Sequence, residues 1–297
     1  MGDSKMKIGI IGGGSIGLLV AKYLCEMHNV TLYVRRPKQK QKLNDHGLFL
    51  SNNTTPCRVN ALLTSELKEE DCVIVCVKQP EIGALVQLLS HLTKHTPIIF
   101  LQNGMAHIDL LKDLSNPVYI GIVTHGALRK SDHIVTHTGM GEIKLAVYSG
   151  DDNQLFTMIH SLGSKQFPFQ VVENWEKLLA EKLVINAVIN PLTAIFEVPN
   201  GDILRNIYLT KIAKELCREA CTVLQLDYMV QWNNVQTVAT QTKENVSSMF
   251  KDLKDHKQTE NEAISGYLVK KSTDTIPYTT FVYNSMKALE AKKGINQ

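Results

Sequence analysis

Lys182, Asn186 and Asn190 recur four residues apart in the segment WEKLLAEKLVINAVINPLTAIF, Trp175 to Phe196. At about 3.6 residues per helical turn they fall within about 80° of one another, on the stripe that also carries Trp175, Leu178, Leu179 and Ile189. Val184, Ile185, Ala187 and Val188 fill the remaining faces, so this helix is expected to be buried on most sides. A lysine and two amides placed there need partners. Burial disfavours the charged amine and brings its pKa down towards neutrality, which makes a lysine beside a cleft a competent general acid. The structural alternative has Lys182 snorkelling to the surface while the asparagines satisfy backbone groups. Pro191 removes a backbone donor from the same segment and is expected to kink the helix and free carbonyls there.

A second cluster lies at the other end of the chain, where Gly12-Gly13-Gly14-Ser15-Ile16-Gly17 fits GxGxxG directly after KIGII and directly before LLVAKYL. Gly12 permits a tight turn, Gly14 lets the backbone approach a pyrophosphate, and Gly17 allows close packing of helix on strand. That context points to dinucleotide binding, whereas the same spacing elsewhere would be a glycine-rich turn. The run NVTLYV ends in Arg35-Arg36 rather than an acidic residue. A guanidinium at that strand end pairs with a 2′-phosphate and stacks on adenine, which favours NADP, unless both arginines are simply solvated. Lys78, after VIVCV, and Asn103 with Gly104, after IIFLQ, close two further strand-like runs where cofactor ribose or substrate would lie. An ordinary Asn-Gly turn is the plainer reading of Asn103.

These residues need two kinds of scaffold. From Lys7 to about Val172, β-rich runs (KIGIIG, NVTLYV, DCVIVCV, TPIIFLQN) alternate with amphipathic stretches such as LVAKYLCEM and IGALVQLLSHL. This is the pattern of an α/β Rossmann-type dinucleotide-binding domain with a mostly parallel sheet, over residues 1–172. HIVTHTGMGEIKLAVY, turning at Gly139 and Gly141, reads as a hairpin that finishes it. After Asn174 the texture is helical, through DILRNIYLTKIAKELCREACTVL, KENVSSMFKDLKDH and FVYNSMKALEAKK, which predicts an all-helical C-terminal domain over residues 173–297. The active site is expected between the two.

The bulk numbers narrow the partners. A chain of 297 residues is long enough for two domains with cores of their own. With 32 Lys and Arg interspersed among 29 Asp and Glu, the formal net charge of +3 gives no reason to expect nucleic acid. The six cysteines show no CxxC pair or zinc-site spacing, so no metal is expected and they read as buried thiols in a reducing cytoplasm. No uncharged run approaches the roughly 20 residues that span a bilayer, and glycines interrupt the N-terminal apolar stretch where a signal peptide would need continuity. A membrane is therefore not an expected partner, and the assembly is expected to be a monomer or a homodimer.

The segment KLVINAVINPLTAIFEVPNG, Lys182 to Gly201, resembles the ketopantoate reductase (2-dehydropantoate 2-reductase) family. Ser248 and Glu260 in SSMFKDLKDHKQTE, the GxGxxG, Arg35, Lys78 and Asn103 match in order, so the likeness spans nearly the whole chain. The resemblance implies NADPH-dependent reduction of 2-dehydropantoate to pantoate, a step towards pantothenate and coenzyme A. It implies that Gly12, Gly14, Ser15, Ile16, Gly17, Arg35, Lys78 and Asn103 bind NADPH, and that Lys182 protonates the nascent alkoxide. Glu260 would orient the substrate and contact the cofactor, while Asn103, Asn186, Asn190, Asn200 and Ser248 would bind substrate. The sequence departs from the family at Glu81, where a glutamine is frequent. Read without the resemblance, Thr259-x-x-Glu262 is a capping box and Glu260 a first-turn carboxylate. The rivals are a reductase of another small 2-keto acid and a protein that senses NADPH without catalysis.

Overall fold

A computed structural model describes residues 5–51, 53 and 55–295, which divide into two compact units. Unit one comprises residues 1–102 and 107–178, and unit two comprises 103–106 and 179–297.

The strands of unit one, in chain order, are β1 (Lys7–Ile11), β2 (Asn29–Val34), β3 (Phe49–Leu50), β4 (Asn60–Leu63), β5 (Cys72–Val75), β6 (Ile98–Phe100), β7 (Val118–Val123), β8 (Gly126–Arg129), β9 (Ile134–Gly139), β10 (Ile143–Ser149) and β11 (Phe169–Val171). Eight of them form one sheet in the order β11-β10-β7-β6-β5-β1-β2-β4. All neighbours are parallel except β7 and β10. The chain builds outwards from β1 through β2 to β4 and then crosses to β5 on the other side of β1, so a topological switch point lies at the carboxyl end of β1. Ile8, Ile10, Val73, Ile74, Ile98 and Ile99 are fully buried, as the continuous apolar runs of a sheet covered on both faces require.

Helices α1 (Ser15–Leu24), α2 (Pro37–His46), α3 (Ile82–Leu89) and α4 (Asp152–Leu162) belong to this unit. The expected hairpin around Gly139 and Gly141 does not form. β9 pairs with β8 and β3 in a separate three-stranded sheet, while β10 joins the large sheet beside β7. Alternation identifies both as strands, but the segment between the two glycines carries the chain from one sheet to the other. The small sheet rests on α1, where Tyr23 stacks on Phe167 at 4.5 Å and its hydroxyl meets His137 Nδ1 at 2.7 Å. A second correction concerns the cysteines. Cys25, which caps α1, and Cys57, which bridges to Leu48, have Cα atoms 6.4 Å apart and form a disulfide. Cys72, Cys76, Cys217 and Cys221 are free.

Among the described residues no strand follows Val171. Helix α5 (Trp175–Phe196) starts under an Asn174 cap, whose side chain accepts from Lys177 N at 2.8 Å. It continues unbroken through Pro191. Two residues later the Thr193 hydroxyl donates to Ile189 O at 2.8 Å and lies 3.1 Å from Asn190 O. By length and composition α5 could span a membrane, yet 72% of its apolar window is buried inside the protein, as a core helix's would be. Unit two continues with α6 (Asp202–Arg205), α7 (Ile207–Leu224), α8 (Tyr228–Gln241), α9 (Ser248–Lys254), α10 (Tyr267–Lys271) and α11 (Pro277–Lys292). Asn206, whose side chain accepts from Tyr208 N and Leu209 N, splits one long helical pattern into α6 and α7.

Candidate active site

In unit one the glycines of the first loop answer to distinct geometric demands. Gly12 has φ +116°, a left-handed value that favours glycine, and a Cβ on Gly17 would stand 1.8 Å from Gly12 O. A Cβ on Gly14 would meet no protein atom within 4 Å. The protein's own packing therefore does not require glycine at position 14, and the open space beside it would admit the close approach of an anion to the first turn of α1. No side chain caps that turn. Ser15 and Ile16 open the helix half-buried, with Ser15 Oγ accepting from Arg129 N at 3.2 Å. These features fit a dinucleotide phosphate.

The two arginines after β2 part company. Arg36 is ion-paired with Asp132, which also takes Arg129 at 2.9 Å. Arg129 Nη1 and Gln39 Nε2 both donate to Gly13 O, at 3.2 and 2.9 Å, so this cluster braces the phosphate loop from behind. Asp132 is buried, and its arginine neighbours hold its carboxyl below the usual range against the opposing effect of burial. Arg35, with 77% of its side chain exposed, instead faces Glu81 at 3.5 Å. Gln39, Arg129 and Asp132 carry no motif, and the SD turn between β8 and β9 was their one local signal. Lys78 stands half-buried beyond the end of β5, at the head of the 3-10 turn Gln79–Glu81. Gln102 secures that stretch by donating to Val75 O at 2.9 Å and Val77 O at 3.1 Å.

Unit two gathers the other predicted residues around α5. Lys182 and Asn186 are half-buried and Asn190 is 8% exposed, on the stripe that also presents the buried Leu179 and Ile189. Burial pulls the Lys182 pKa down to about 8, and the negative charge of Glu260 opposes the fall. Glu260 Oε2 accepts from Asn103 Nδ2 at 2.9 Å, joining residues 157 apart in sequence. Gly104, at φ +78°, makes this join possible, because a Cβ there would lie 2.3 Å from Ala263 O. An ammonium, a carboxylate and an amide donor are thus brought together.

The Thr259–Glu262 capping box is absent. Thr259 Oγ1 accepts from Asn261 N at 3.2 Å and donates to Glu290 at 2.6 Å, while Glu262 takes Tyr283 and Lys287 at 2.8 and 2.9 Å. The chain enters a π-helical turn, Glu262–Gly266, which leaves Glu260 ahead of it. Ser248 is exposed as the first residue of α9. Its neighbour Ser247 is the buried cap, accepting from Phe250 N at 3.2 Å and lying 2.7 Å from the Thr193 hydroxyl. Asn200 is engaged in the turn after α5, where its amide donates to Thr242 at 2.9 Å and its backbone N–H to Asn245 O at 3.0 Å.

Residues 8–150 match the family model for ketopantoate reductase PanE/ApbA, and residues 174–290 match the model of the ketopantoate reductase PanE/ApbA C terminal domain. The chain is 40% identical over 293 residues to the 2-dehydropantoate 2-reductase of Bacillus subtilis (strain 168), covering 96% of this chain and 98% of that one. It is 32% identical over 299 residues to the 2-dehydropantoate 2-reductase of Listeria monocytogenes, covering 98% and 99%. The crystal structure of the probable 2-dehydropantoate 2-reductase from B. subtilis superposes with a TM-score of 0.86 at 40% identity, covering 95% of this chain and 99% of the other.

Proposed function

The chain belongs to the ketopantoate reductase family, and from that premise we propose that it reduces 2-dehydropantoate to pantoate with NADPH. The observation that carries this reading is the grouping of Lys182, Glu260 and Asn103 in unit two. NADPH, when bound, supplies the hydride that adds to C2 of the keto acid. Negative charge then develops on the carbonyl oxygen, and Lys182 gives that oxygen a proton from Nζ, becoming a neutral amine. With a pKa near 8 the lysine is protonated at neutral pH and close enough to it for easy proton transfer. Glu260 supports the ammonium form and is itself held by the Asn103 amide. Asn186, Asn190 and Ser248 bind the substrate's carboxylate and 4-hydroxyl.

The cofactor side of the reading rests on the first loop and on Arg35. Gly12, Gly14, Ser15, Ile16 and Gly17 receive the pyrophosphate at the start of α1, and Lys78 and Asn103 lie by the nicotinamide ribose. Arg35 receives the 2′-phosphate, and this assignment makes NADPH the preferred cofactor.

Purified protein mixed with NADPH and 2-dehydropantoate tests the reading through the loss of nicotinamide absorbance. Oxidation that depends on the keto acid is expected, with 3-methyl-2-oxobutanoate much the poorer substrate because it lacks the 4-hydroxyl and leaves polar groups unpaired. Equal efficiency on both acids would overturn the substrate assignment. Failure to oxidise NADPH with any 2-keto acid would overturn the activity.

A further inference from the structure

The charged groups at the adenosine end of the unit-one site are not equivalent. Arg36 and Arg129 share Asp132, and Lys40 pairs with Glu66 at 2.7 Å. Each of these contacts braces the protein's own framework. Arg35 and Glu81 form the exposed pair, with 77% and 43% of their side chains in solvent. Its position follows from strand order. β2 and β5 flank β1, with Ile11 opposite Tyr33 on one side and Val75 on the other. Their ends therefore stand about 10 Å apart, two strand spacings. A side chain from just beyond β2 that meets one from the turn after β5 reaches across the carboxyl end of β1, above the phosphate loop.

Glu81 is tied to its own turn through the backbone alone. It ends the 3-10 turn with helical backbone angles and leads directly into α3, and its side chain makes no cap bond there. Its backbone N–H closes the 3-10 turn onto Lys78 O at 3.0 Å, and its carboxylate turns to Arg35, 46 residues away.

We infer that Glu81 determines how strongly the protein separates NADPH from NADH. This rests on the reading that Arg35 receives the 2′-phosphate. The carboxylate competes with that phosphate for the guanidinium and repels it, which weakens NADPH. For NADH, which carries a hydroxyl in the phosphate's place, the same carboxylate is a hydrogen-bond acceptor of the kind an acidic residue supplies at the end of the second strand in NAD-preferring sites. Both effects narrow the preference for NADPH. Arg35 and Glu81 together form a divided specificity site, with the cation just beyond β2 and the anion on the turn before α3.

Calorimetric titration with 2′,5′-ADP and with 5′-AMP, which differ by the 2′-phosphate alone, tests this on the intact protein. Glu81→Gln should tighten 2′,5′-ADP by roughly two- to fivefold, the range of an exposed ion pair, without tightening 5′-AMP. The gain should shrink as salt is raised and be smaller in the Arg35→Ala background, where the competition for the guanidinium is gone and only the direct repulsion remains. The ratio of kcat/KM for NADPH to that for NADH should rise in parallel. A Glu81→Gln change that alters both nucleotides equally, or neither, overturns the inference, and it leaves the Arg35 assignment standing if Arg35→Ala alone still loses affinity for 2′,5′-ADP. An Arg35→Ala protein that binds 2′,5′-ADP as tightly as the unaltered one overturns the assignment and the inference together.

Discussion

The phosphate loop and the Lys182 cluster build function from opposite materials. In the loop the decisive features are backbone ones: a positive φ at Gly12, contact of Gly17 with Gly12 O, and open space beside Gly14. Around Lys182 they are side chains from distant parts of the sequence, an ammonium on α5, a carboxylate before the π-helical turn and an amide from the segment after β6. A backbone site is specified by spacing along a short stretch. A side-chain site is specified by residue types that conflict with their surroundings, here polar groups on the apolar stripe of a buried helix.

The largest effect that would test this contrast is a change of chemistry without a change of fold. Lys182→Ala is expected to lower turnover by about 10²–10⁴-fold, the range for loss of a positioned general acid. Because the phosphate loop lies in the other unit, the variant should still fold and bind NADPH. Stopped turnover with intact NADPH binding, measured by cofactor fluorescence, would support it. Near-normal turnover would make Lys182 a structural residue.

The loop offers a paired test of smaller size. Gly17→Ala places a methyl group against Gly12 O and should destabilise unit one by about 1–3 kcal/mol, read as a lowered denaturant midpoint. Gly14→Ala meets no protein atom and has an ordinary φ of −80°, and its poorer capping is opposed by the stiffer unfolded chain, so stability should change by less than about 1 kcal/mol. NADPH affinity should nevertheless fall in Gly14→Ala, because the added methyl lies where the anion approaches. If Gly14→Ala kept full affinity, the loop would not hold the pyrophosphate at that residue.

Legibility divides along the same line. The strands β1, β2, β5 and β6 and the glycine loop were readable because each is local, an apolar run or a fixed spacing. The placement of β9 and β10 was not, since alternation marks a strand and its face but not its partner, and these two join different sheets. Helix α8 escaped notice because YMVQWNNVQTVATQ mixes polar residues into the buried face, Gln231 among them. Lys182 stood out by being the wrong type for its stripe. Its neighbours in space did not, because no spacing connects Asn103 to Glu260, or Thr193 to Ser247. Asp132 was invisible for the same reason, although it braces the loop that the motif itself revealed.

The smallest predicted effect concerns the electrostatic link inside the second cluster. Burial lowers the Lys182 pKa and Glu260 raises it, and the balance lies at about 8. The proton donor must be charged, so turnover under conditions where chemistry limits the rate should be highest below this value and decline as pH rises through it. Glu260→Gln keeps the size of the side chain but removes the raising influence, leaving burial unopposed. The ammonium then loses its proton more readily, and the alkaline decline must move to lower pH. At neutral pH this alone should reduce turnover by less than about tenfold, since a shift of one pKa unit changes the protonated fraction by at most that factor. Any further loss would come from poorer substrate orientation and would raise KM as well. The pH profile therefore separates the two contributions. A decline that stayed near pH 8 in Glu260→Gln would show that Glu260 does not govern the charge of Lys182, and its part in the site would then be substrate positioning alone.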